Sequence, residues 1–142
     1  MDRRDRATVF SEMKRVLRPG GLLCFSSHNT GTLGRMYSFQ FPRDPRRIWW
    51  EYQRYRRISI VNGPASSFEH KDWFIIKDGA HDFQTPVFYI RPAFQISELE
   101  AMGLRDVKMF ASPTGAPLSR EDLGGYTESW LHYLCEVAPG SS

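Results

Sequence analysis

The side chains with chemistry to offer fall in a few places. Ser27-His28-Asn29 follow closely on the apolar run Leu22-Leu23-Cys24-Phe25. A histidine near its ordinary pKa of ~6.5 can take or give a proton at neutral pH. The C-terminal edge of a strand is where ligands gather in open α/β sheets. The plainer alternative is a polar turn in which His28 only hydrogen-bonds. His81-Asp82 stand ahead of Tyr89. A carboxylate beside a histidine can orient it, but adjacent residues seldom face one another, so a solvated turn is the favoured reading of that pair. Ser27, His28, Asn29, His81, Asp82 and Tyr89 form the candidate pocket, with no catalytic residue assigned among them. Replacing His28 or Asn29 is expected to harm activity far more than stability.

Other chemistry is set aside. His28, His70, His81 and His132 show no ligand spacing, so no metal is expected. Cys24 and Cys135 lie in apolar stretches without a CxxC pattern and are read as buried thiols in a reducing compartment. Nothing beside Cys24 would lower its pKa into the nucleophilic range. Residues 31–60 hold seven arginines against two acids, interleaved with Trp49, Trp50, Tyr52 and Tyr55. Such a segment can contact phosphates and stack on bases, or close as a lid over a small substrate. The favoured reading is an amphipathic helix packed on a sheet with its arginines snorkelling, and a nucleic-acid partner is not expected.

These residues need elements to position them. Val9, Phe10, Met13, Val16 and Leu17 make the stripe of a helix over 7–17, stopped by Pro19-Gly20-Gly21. The apolar run at 22–25 is too short for a helix and reads as an interior strand buried on both faces. Asp44-Pro45 should cap and start a second helix with Ile48, Tyr52 and Tyr55 on one face, ended by Asn62-Gly63-Pro64. Residues 73–76 and 87–90 read as strands, with Asp78-Gly79 in the turn between them. Ser97-Glu98-Leu99-Glu100 has the capping-box pattern of a helix start, with Gly103 at the stop. Residues 106–110 and 130–137 read as the last strands. In the second, Leu131, Tyr133, Cys135 and Val137 alternate with Trp130, His132, Leu134 and Glu136.

The totals agree with one ordinary folded domain. The 142 residues are 41% hydrophobic and 25% charged, with a net charge of +3, which suits a single core and argues against wholesale disorder. No apolar run approaches a membrane span, so no membrane partner is expected. The charged start leads into no signal region, so the expected location is cytoplasmic.

Two stretches resemble a known family. Glu12-Met13-Lys14-Arg15-Val16-Leu17-Arg18-Pro19-Gly20-Gly21, running into the strand at 22–25 and Ser26-Ser27-His28-Asn29, is similar to the segment of class I S-adenosylmethionine-dependent methyltransferases that leads to the rim of the active site. Phe88-Tyr89-Ile90-Arg91-Pro92, then Gln95, Leu99 and Gly103-Leu104, is similar to the region leading into that family's last helix and terminal pair of strands. The resemblance implies an α/β fold: a partial Rossmann-like sheet, the C-terminal half with strands five to seven and two crossover helices. It divides the single partial domain 1–142 into a helix and fifth-strand segment 1–29, an inserted substrate-side helix and hairpin region 30–90, a last helix and strand pair 91–137, and a tail 138–142.

It also implies methyl transfer from S-adenosylmethionine to O, N or C of a small molecule in an intact parent. The glycine-rich cofactor loop and the acid that the family carries on its first strands have no counterpart here, so the chain alone is expected to be inactive. The strand at 22–25 would lack its usual neighbour and leave an open edge through which copies could associate. The alternative is a non-catalytic half-domain that docks on another chain or on an anionic or nucleic-acid partner.

Overall fold

The computed structural model describes residues 3–112 and 114–138, with the side chains of Arg3 and His81 left aside. The tail expected at 138–142 lies, past Ala138, outside the described residues. In chain order the elements are α1 (Arg3–Val16), β1 (Leu22–Asn29), α2 (Leu33–Met36), α3 (Ile48–Asn62), β2 (Trp73–Lys77), β3 (Pro86–Ile90), α4 (Pro92–Ala101), β4 (Leu104–Ala111), β5 (Pro117–Leu118) and β6 (Trp130–Val137). Short 3₁₀ turns join several of them. No helix is long and apolar enough to cross a membrane among the described residues.

The strands form one open mixed sheet in the order β2-β3-β1-β6-β4-β5. β1 and β3 run parallel, and the remaining neighbours are antiparallel. β1 pairs with β6 from Leu22 to His28, but with β3 only at His28 and Asn29. Residues 22–27 therefore have no second strand neighbour among the described residues.

α1 and α4 cover one face of the sheet. Phe10, Ile96 and Leu99 pack there on Leu23, Leu104, Leu131, Tyr133, Cys135 and Val137. Full burial of each leucine or isoleucine in this layer contributes roughly 1.5–3 kcal/mol. Strand alternation explains the β6 contribution: Leu131, Tyr133, Cys135 and Val137 are all buried. α2 and α3 cover only the β2–β3 end of the opposite face, where Leu33, Met36 and Phe68 pack on Phe74, Ile76 and Tyr89.

Four expectations are corrected here. β1 is not buried on both faces. Leu22 is 62% exposed and Cys24 is exposed as well, because the helices on that side sit over β2 and β3 instead. Only Cys135 is a buried thiol. α4 starts at Pro92, with Arg91 extended before it, so Ser97 lies inside the helix and its hydroxyl donates to Ala93 O at 3.1 Å. Proline at the first helical position outweighs the capping-box pattern. Of the apolar stripe on α1, Phe10 is buried while Val9, Met13 and Val16 are exposed.

Candidate active site

β1 continues through the polar residues and ends at Asn29. Because side chains alternate along a strand, Ser27 and Asn29 turn to one face and His28 to the other. Ser27 is buried on the face that α1 and α4 cover. Asn29 is buried and fully engaged: its amide donates to Tyr126 O at 2.7 Å and Glu128 O at 3.2 Å, and its carbonyl accepts from Gly31 N at 2.9 Å. That side chain fastens the end of β1 to the segment ahead of β6. It has no group left for a substrate.

His28 sits between its two cross-strand neighbours. Tyr89 is its partner on β3 and Trp130 its partner on β6. The imidazole centroid lies 4.9 Å from the Tyr89 ring and 3.8 Å from the Trp130 ring. Burial lowers the His28 pKa, and the nearby charge of Asp78 partly opposes this. His28 is thus held toward its neutral form, able to accept a proton.

Tyr89 is buried, and its hydroxyl donates to Asp78 Oδ2 at 2.7 Å. Asp78 is also buried, and its other oxygen accepts from Ala80 N at 3.0 Å in the turn after β2. Burial, then the hydrogen bond and charge of Asp78, push the Tyr89 phenol well above its usual range. Tyr89 therefore stays protonated and donates. Asp78 and Tyr89 line a cavity of about 310 Å³, together with Thr32, Arg35, Met36, Ile58 and Ser129. It adjoins a wider cleft of about 740 Å³ that shares Gln40, Arg54 and Gly79 with it and reaches Trp50 and Arg46.

The wall between cavity and cleft is tied down by Arg54. Its guanidinium donates to Met36 O and Ser38 O, each at 2.7 Å, and pairs with Glu51 at 2.6 Å. The Arg54 hydrogen bond is the main reason the Glu51 carboxyl lies below its usual range, with burial opposing it. At the rim, Arg35 stands 3.4 Å from Glu128.

Of the residues singled out from the sequence, the fold brings His28 and Tyr89 together. Asp82 is exposed and paired with Arg57 at 2.6 Å. The His81 side chain lies outside the described residues. Asp78 and Trp130 were not among the candidates. Asp78 reads as a turn residue before Gly79, and only the fold of the β2–β3 hairpin shows its carboxylate reaching Tyr89. Among the described residues no group of His, Cys, Asp and Glu could hold a metal ion. Comparison with family models, with curated proteins and with solved structures finds no match to this chain.

Proposed function

We propose that this chain is the acceptor-side, C-terminal half of a class I S-adenosylmethionine-dependent methyltransferase acting on O, N or C of a small molecule in a cytoplasmic, reducing setting. The observation that carries the reading is the contiguous set His28, Tyr89 and Asp78, in which His28 at the end of β1 packs on Tyr89 while Tyr89 and Asp78 line a cavity. The resemblance puts the active-site rim at the same strand end. The helix α4 followed by β4 and β6 supports it too, as counterparts of a last helix and terminal strand pair.

The described residues do not make a cradle for S-adenosylmethionine. Gly31, the glycine nearest the end of β1, is closely packed: a Cβ there would lie 2.5 Å from Tyr126 O. What this chain supplies is proton handling for the acceptor. An acceptor X–H in the cavity can hydrogen-bond to Tyr89 Oη. As X becomes a nucleophile, its proton passes to Tyr89 Oη while the phenolic proton passes to Asp78 Oδ2. Tyr89 is regenerated, and Asp78 ends as the neutral acid. Neutral His28 packs against the Tyr89 ring and fixes its position.

The test uses the gene read in frame upstream of Met1 and expressed with this chain, supplied with methyl-labelled S-adenosylmethionine and a small-molecule extract. Label should reach a small molecule, and Asp78→Asn should slow it by about 100-fold or more. The proposal fails if no glycine-rich loop is encoded upstream and no label moves. The open edge at residues 22–27 favours the second reading, a half-domain that docks on another chain. Under it, Asp78→Asn would leave docking unchanged.

A further inference from the structure

α3 is built inside out. Its inward side carries Glu51, Arg54, Ile58 and Asn62, and Ile58 is the only buried apolar residue on the helix. Asn62 bonds to the Lys77 backbone, donating to its O at 2.9 Å and accepting from its N at 2.7 Å. The outward side holds the large apolar groups. Trp49 is 63% exposed and Ile60 72%, with Ile48 and Tyr52 exposed too. At 3.6 residues per turn, Ile48, Tyr52, Trp49 and Ile60 fall within an arc of about 120°. Arg56 lies inside that arc, its guanidinium 5.8 Å from the Tyr52 ring.

The charge of this region is unbalanced. Of the seven arginines in residues 31–60, Arg35 pairs with Glu128, Arg54 with Glu51 and Arg57 with Asp82. Arg43, Arg46, Arg47 and Arg56 have no acidic partner among the described residues. No acid stands on the outward arc of α3, since Glu51 faces in.

We propose that this face of α3 lies on an anionic lipid bilayer, with Trp49, Tyr52, Ile48 and Ile60 entering the headgroup boundary and Arg56, beside Tyr52, resting on a lipid phosphate. Tryptophan and tyrosine suit that boundary because each ring has an apolar body and a polar handle. A nucleic acid would use the rings and the arginines but gains nothing from Ile48 and Ile60. A protein surface of mixed charge would leave arginines facing like charge. An anionic bilayer offers hydrocarbon and phosphate over the whole face. The absence of a spanning segment, on which the expectation of no membrane partner rested, does not bear on a helix that lies flat. The proposal concerns a surface and stands apart from the methyl-transfer reading.

The experiment is co-sedimentation of the full chain with phosphatidylcholine vesicles, with and without phosphatidylglycerol. The chain should bind the anionic vesicles at least about tenfold better than the neutral ones, and added salt should weaken binding. Its tryptophan emission should shift to the blue, and Trp49→Phe should abolish that shift. Arg56→Gln should weaken binding about fivefold, and separately Trp49→Ser with Ile60→Ser about tenfold. Arg120→Gln, remote from α3, should leave it unchanged. All variants are at exposed positions, and circular dichroism checks that they fold.

Equal sedimentation with both vesicle types overturns the proposal. So does binding that survives Trp49→Ser with Ile60→Ser. Displacement from vesicles by a single-stranded oligonucleotide at lower concentration would assign the face to nucleic acid. A dimer in sedimentation velocity that dissociates in Trp49→Ser would assign it to a second copy. A chain extended upstream of Met1 that no longer binds vesicles would assign it to the rest of the protein. Each of these also overturns the proposal.

Discussion

Replacing Asn29 with alanine removes three hydrogen bonds from a side chain that is 2% exposed. Each is worth roughly 0.5–1.5 kcal/mol net, which puts the loss at about 3 kcal/mol. The partners left behind are backbone groups: the carbonyls of Tyr126 and Glu128 and the N–H of Gly31. They have little room to find substitutes, since the chain passes so close at Gly31 that a Cβ would meet Tyr126 O at 2.5 Å. Against a net stability of about 5–15 kcal/mol the loss is large, and for a chain of this size it lowers the melting temperature by about 10 °C. Asn29→Asp is a sharper version. It keeps the acceptor for Gly31 N but sets a carboxylate against two carbonyls, so it should be at least as damaging. The assay is thermal unfolding by far-ultraviolet circular dichroism, paired with urea unfolding to check that the m-value is unchanged. This reverses the expectation from sequence that Asn29 matters to activity more than to stability. A melting temperature for Asn29→Ala within about 2 °C of the parent chain would refute the reasoning, because it would mean that these three bonds contribute almost nothing net.

Two further outcomes test the site. Tyr89→Phe should cost about 1.5–3 kcal/mol, since it removes a hydrogen bond to a buried carboxylate, and the double-mutant cycle with Asp78→Asn should show a coupling of about 1 kcal/mol or more; a coupling below about 0.5 kcal/mol would mean that the pair is not energetically linked. Because burial lowers the His28 pKa, the unfolded chain takes up that proton more readily than the folded one, so this contribution to stability is complete above about pH 6.5 and is lost as pH falls below it, levelling off once the folded imidazole also protonates. Melting temperatures measured from about pH 8 to pH 5 should fall more steeply for the parent than for His28→Gln, and parallel curves would remove His28 as the cause.

What could be read from the sequence was whatever depends on neighbours along the chain. β6 was legible because Leu131, Tyr133, Cys135 and Val137 alternate with period two and all four are buried. The helical stretch was legible because Asp44 caps the 3₁₀ turn Pro45–Arg47 that runs into α3, its side chain accepting from Arg46 N at 3.0 Å. The facing of α3 was not. Its apolar spacing pointed Ile48, Tyr52 and Tyr55 inward, but the surface it meets presents the carbonyls of Met36 and Ser38 and the backbone of Lys77. Those carbonyls and the Lys77 N–H need partners, and Arg54 and Asn62 supply them. The site divides in the same way. His28 and Tyr89 are each conspicuous in the sequence, but their contact depends on the parallel pairing of β1 with β3, which no local pattern records. Asp78 hid behind its turn role, although one carboxylate oxygen serves the turn and the other is left to take Tyr89. The triplet Ser27-His28-Asn29 shows why position alone misleads. Three polar residues beyond an apolar run line one pocket only if the strand has stopped. Here pairing with Trp130 on one side and Tyr89 on the other carries the strand through His28, so alternation sends only His28 toward the side where the cavity opens.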